Sequence, residues 1–178
     1  MKIKLFAIGL FALLMVSIAG PSFAGRASAA VRTVPVASAP AAHPAIFDKT
    51  RFLLHAGVAF FIIHHEYNRY KQGYFSAGTS GRVRHLVVAA AALAIGVHEA
   101  KVAYGIAKNS NSKTLQALAS PFASLSTTMD GIRGKFAKGQ GSASDIAGLN
   151  SSVSSIGSTA GSNGYNIKDV SAPLPAGA

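Results

Sequence analysis

Residues 52–63, FLLHAGVAFFII, and residues 86–97, LVVAAAALAIGV, are the two stretches on which the fold turns. Each is twelve residues long and apolar apart from His55 in the first. The first runs on through His64-His65-Glu66-Tyr67-Asn68-Arg69-Tyr70-Lys71, the second through His98-Glu99-Ala100-Lys101 to Ile106-Ala107. Between them Gly73, Gly78 and Gly81 punctuate small and polar residues, the composition of a turn. Two helices over about 49–72 and 83–108, joined by a short loop and hence antiparallel, are expected.

Downstream lies the clearest periodic signal. Leu115, Leu118, Phe122, Leu125, Met129, Ile132 and Phe136 recur at alternating steps of 3 and 4, which places all seven on one stripe of a helix over about 113–137. Asn111 or Ser112 can cap its start, and Pro121, which lacks an N–H, predicts a kink or break near Ser120. The other positions are mostly Ala, Ser and Thr, so the seam is expected to pack on the hairpin of its own chain. A shorter helix over about 144–157 repeats the pattern with Ile146, Leu149, Val153 and Ile156. The fold class is therefore all-α: a helical hairpin (47–109) followed by an amphipathic helical region (110–157). Residues 158–178 are Gly-, Ser- and Pro-rich and read as a disordered tail.

The leading residues read as an export signal. Lys2 and Lys4 form a positive start, Leu5–Ile18 an apolar core, and Ser22-Phe23-Ala24 places small residues three and one before a cut after Ala24. Residues 25–46 are rich in Ala, Ser and Pro and read as a linker. An extracytoplasmic location follows, secreted or membrane-associated.

Composition narrows the function classes. Charged residues make up 13% of the chain, against roughly 25% in ordinary soluble domains. No cysteine is present, so disulfides, thiolate metal sites and thiol catalysis are excluded. The formal charge is +11. On an exported protein such an excess meets anionic lipid headgroups or envelope polymers before nucleic acid, which is not an expected partner.

Each apolar run would span only about 18 Å as a helix against a hydrocarbon core of about 30 Å. The flanks nevertheless suit an interface. Tyr67, Arg69, Tyr70, Lys71, Tyr74, Arg82 and Arg84 crowd the loop, and rings with cations at one level are what a membrane surface selects.

All six histidines fall between positions 43 and 98. In an antiparallel hairpin turning near residue 77, His55 stands level with His98, an arrangement that could present two imidazoles to haem or a divalent metal. The alternative is structural, with His98 paired to Glu99 or a carbonyl and the His64-His65-Glu66 run marking the polar end of a helix. No nucleophile elbow, phosphate loop or H-E-x-x-H occurs, and the six acidic residues are scattered singly. No enzyme and no required cofactor are expected.

The segment Phe47-Asp48-Lys49-Thr50-Arg51-Phe52 resembles, together with the stretch from His98-Glu99-Ala100-Lys101 to Lys113-Thr114-Leu115, a group of small exported or membrane-associated bacterial proteins with no established activity. The resemblance covers about residues 47–150 and implies no substrate, cofactor or catalytic residue. The expected function is that of a non-catalytic structural or interaction protein of the cell envelope. It would be held at the membrane by its hairpin, with the 115–136 seam as contact surface for a protein partner or a second copy. Haem or metal binding, and bilayer perturbation by a basic peptide-like hairpin, are the alternatives.

Overall fold

The structure, a computed structural model, describes residues 45–178; the expected signal (1–24) and nearly all of the linker (25–46) lie outside them. Regular structure among the described residues is entirely helical: α1 (Ala45–Lys71), α2 (Arg82–Asn109), α3 (Lys113–Gln116), α4 (Ala119–Ala137) and α5 (Ala143–Ser162). The four long helices form a bundle in which each runs against the direction of the one before it. α2 lies between α1 and α4, and α5 packs on both α4 and α1.

The hairpin forms because its linker can bend sharply. Gly73, Gly78 and Gly81 all take positive φ, between 71° and 86°, a region that costs glycine nothing. α1 and α2 then meet at Gly96, whose missing side chain lets Ile62 of α1 and Met129 of α4 close on the α2 backbone. All seven seam residues from Leu115 to Phe136 are buried, and they cover the inner face of the hairpin. Phe122 centres an aromatic cluster, edge-on to Phe52 at 5.1 Å and stacked on Phe60 at 6.1 Å. A seam sealed inside its own chain is not a contact surface for a partner, which corrects that expectation.

The break in the seam helix falls at Ala117–Leu118, earlier than Pro121 suggested. Pro121 occupies the third position of α4, in the first turn, where backbone N–H groups have no helical acceptor, so its ring costs no hydrogen bond. Ser112 caps α3 through the Leu115 N–H, and Ser142 with Asp145 forms a reciprocal capping box on α5. Arg82 ties the two ends of the bundle's loops together: its guanidinium donates to the carbonyls of Phe75, Gly139 and Gly141.

The largest departure concerns residues 158–178. α5 continues to Ser162 because Ala160 extends its seam by a further step of 4 and is fully buried. Ser151, Ser152, Ser154, Ser158 and Ser162 each bond to the carbonyl four residues back, so a serine-rich sequence satisfies its hydroxyls while helical. Residues 163–178 then form an extended strap along α1 rather than a disordered tail. Tyr165 is buried edge-on to Phe52, the Val170 N–H donates to the Gly57 carbonyl at 3.1 Å, and Arg69 donates to the Gly177 carbonyl at 3.2 Å. A β-carbon on Gly57 would collide with the Lys168 carbonyl and with Val170.

Two outcomes test this packing. Phe122→Ala is expected to lower unfolding free energy by about 3–5 kcal/mol in urea titrations, the usual cost of emptying a large ring site. Gly57→Ala is expected to release the strap while leaving the helices intact. Hydrogen exchange should then speed up at the Val170 amide without loss of helical circular dichroism.

Candidate functional site

Viewed down α1, the core side carries Phe52, Ala56, Ala59 and Ile63, all buried. The opposite side carries Leu54, Val58, Phe61, His65, Asn68 and Gln72, again at alternating steps of 4 and 3, and none of these is buried. On α2 the neighbouring outward positions are Arg84, Val87, Val88, Ala91, Ile95 and His98. The bundle thus presents an outer hairpin face that is apolar in the middle and polar towards the turn. Leu54 is 49% exposed and Val87 48%. Arg51 and Lys101, both exposed, lie near one end and Arg84 at the other. α2 is also long and apolar enough to cross a membrane, although half of its most apolar window is buried within the bundle.

Where this face reaches the turn, it opens into a polar cleft of about 470 Å³ lined by His65, Asn68, Arg69, Gln72, Tyr74 and His85, with Gly177 and Ala178 of the strap as one wall. Its floor is an ion pair removed from water. Glu66 is 0% exposed, and Arg69 Nη1 donates to both its carboxylate oxygens at 3.2 and 3.3 Å. Burial pushes the Glu66 carboxyl up to about 7, outweighing the charge and hydrogen bonds of Arg69, which act in the other direction. The other guanidinium nitrogen of Arg69 reaches His85 Nδ1 at 3.3 Å. Arginine can only donate, so this Nδ1 accepts, and the proton of the neutral ring sits on Nε2. Tyr74 stands edge-on to His85 at 4.8 Å and faces the Arg69 guanidinium at 5.4 Å. His65 Nε2 is buried without a hydrogen-bond partner, and desolvation together with the Arg69 charge holds the imidazole below its ordinary pKa.

The histidine pairing expected across the hairpin takes another form. His55 Nδ1 lies 2.5 Å from Glu99 Oε2, while His98 is exposed on the outer face. Successive residues on a helix point about 100° apart, so a register that delivers Glu99 to His55 turns His98 away. The structure therefore does not join His55 and His98, and no group of three His, Asp or Glu suited to a metal ion occurs among the described residues. His64 instead anchors the strap through Asp169, Nδ1 to Oδ2 at 2.8 Å.

The seven residues expected at a membrane interface separate in the same way. Arg69 is a buried ion-pair partner and Arg82 a loop clamp, which corrects both assignments. Tyr67 and Tyr70 pack against the core at the end of the bundle, with Lys71 over the Tyr67 ring at 5.1 Å. Tyr74 lines the cleft. Arg84 remains exposed, and its guanidinium lies 4.0 Å from where a Gly177 β-carbon would stand, at the edge of the cleft. Sequence reading missed the Glu66–Arg69 pair, although their spacing of three on one helix face was a usable signal. It also missed the strap, whose sequence has no period to find.

No family model, curated protein or solved structure matches the chain.

The buried carboxyl makes stability depend on pH with a definite sign. Folded Glu66 holds its proton up to about pH 7 and the unfolded residue only to about 4.5, so between these values the folded state binds more protons and stability falls as pH rises. Glu66→Gln cannot titrate. Its melting temperature is expected to lose that downward component between pH 5 and 7, and curves parallel to wild type would remove Glu66 from the account.

Proposed function

We propose that this is a non-catalytic protein of the cell envelope that rests on an anionic membrane surface through the outer face of the α1–α2 hairpin. The observation that carries the reading is that face itself: partly exposed Val58, Phe61 and Ile95 in the middle, the more open Leu54 and Val87 towards its two ends, and cations beside them. The bundle has already buried its other apolar stripes, so this is the face left to be covered. Five of the six acidic residues are paired within the fold, which leaves most of the basic excess free to act outward. Each Lys or Arg close to an anionic bilayer contributes about 1 kcal/mol, and apolar side chains that enter the headgroup boundary add to it. One face of a bundle supports lying on the surface better than crossing it, because the opposite side of α2 is occupied by α4. The expected export signal would deliver the chain to the compartment where that surface is found.

Sedimentation with vesicles tests the reading. Wild type is expected to bind phosphatidylglycerol-containing vesicles, to bind phosphatidylcholine vesicles weakly, and to lose affinity as salt screens the charges. Leu54→Asp combined with Val87→Asp is expected to weaken binding tenfold or more without lowering the melting temperature, since both side chains are already open to water. Failure of wild type to bind, or undiminished binding by the double variant, would refute the proposal.

A further inference from the structure

The cleft at the turn end of the hairpin is not explained by packing. Folding has brought the Arg69 guanidinium and two imidazoles, His65 and His85, to one opening walled by Gly177 and the terminal residue Ala178, with the Arg84 guanidinium near Gly177 and the Glu66 carboxyl behind Arg69. It has also left the buried His65 Nε2 with nothing to bond, an omission that ordinarily costs about 1–3 kcal/mol. Asn68 and Gln72, exposed on the same side of α1, add amide donors. A cluster of neutral N–H donors around a guanidinium suits an anion whose several oxygens each accept a hydrogen bond. The volume admits a small tetrahedral group with a short organic substituent.

We infer that this cleft binds a phosphodiester group, held by His65, His85, Asn68 and Gln72 within the field of Arg69 and Arg84. The diester is either the head of an anionic lipid or a free phosphate ester, and recognition is the same in both cases. Binding of a soluble ester does not depend on the membrane proposal, so the two can fail separately. Proton uptake supports the assignment. As pH falls through about 7 the Glu66 carboxyl becomes neutral and leaves Arg69 uncompensated, so an anion is held more tightly at pH 6 than at pH 8. The other titratable or charged groups around Arg69 in the cleft are His65 on α1, Tyr74 on the loop and His85 on α2, while the strap contributes the Gly177 carbonyl and the terminal residue Ala178.

The test uses the full chain and the imidazole resonances of its histidines. Glycerophosphoglycerol carries one negative charge across this pH range, and it would be titrated at constant ionic strength against inorganic phosphate and phosphatidylglycerol vesicles. The expected result is a saturable shift of His65 and His85 that leaves His55 and His98 unmoved, at least threefold tighter at pH 6 than at pH 8. Asn68→Ala with Gln72→Ala, both exposed positions, is expected to weaken it at least fivefold with no change in melting temperature. A shift with the soluble ester or inorganic phosphate alone identifies a free phosphate as the ligand, and a further gain in affinity with vesicles identifies the lipid head. No saturable shift with any of the probes, histidines that all move together, or a double variant that binds like wild type would each overturn the inference.

Discussion

Everything in this bundle depends on how closely three helices approach at Gly96. A β-carbon there would press on the end of Met129 and come within 3.2 Å of Ile62 Cγ2. With hydrogen in its place, α2 sits against α1 and α4 at once, and the inner faces of all three are dry along their length. That closeness fixes the hairpin register: Ile62 opposite Gly96 places His55 at Glu99 and Arg69 at His85. The Arg69–His85 contact, the His55–Glu99 pair and the outward direction of His98 follow from that register. A buried pair such as Glu66–Arg69 is weak evidence of stability, since desolvation offsets much of its attraction. Its effect is to hold a charged floor in position where an all-apolar end would have closed.

Much of the fold was legible because periodicity records burial. The seam from Leu115 to Phe136 and the shorter one from Ile146 to Ile156 are buried at every position, and both hairpin helices fall within a few residues of their expected bounds. Legibility failed where the energetics are local. Ala160 is too small to register as a seam residue, and the α5 serines look like linker until their hydroxyls are seen to bond within the helix. The strap is held by the Val170 backbone bond, the His64–Asp169 pair, the Arg69 bond to Gly177, the Tyr165 ring against Phe52 and the absence of a side chain at Gly57, none of which leaves a periodic pattern in sequence.

The candidate sites were less legible than the fold, for a geometrical reason. Cations and rings close in sequence around the turn looked like one belt, but helix rotation sends Arg69 inward, Tyr67 and Tyr70 to the bundle end, and Arg84 outward. Histidines suffer the same dispersion. A difference of one residue, His98 against Glu99, separates a two-imidazole site from an imidazole–carboxylate pair.

α5 carries a single charged residue, Asp145, in twenty, and five of its seven serine hydroxyls are turned back onto its own carbonyls. That flank of the molecule is electrically almost silent, whereas the hairpin flank bears Arg51, Arg84 and Lys101, which have no ion-pair partner among the described residues. A body so lopsided experiences a torque as well as a pull in the field of a negative plane. It would arrive already turned, hairpin first and α5 towards the solution, before any atom touches the surface.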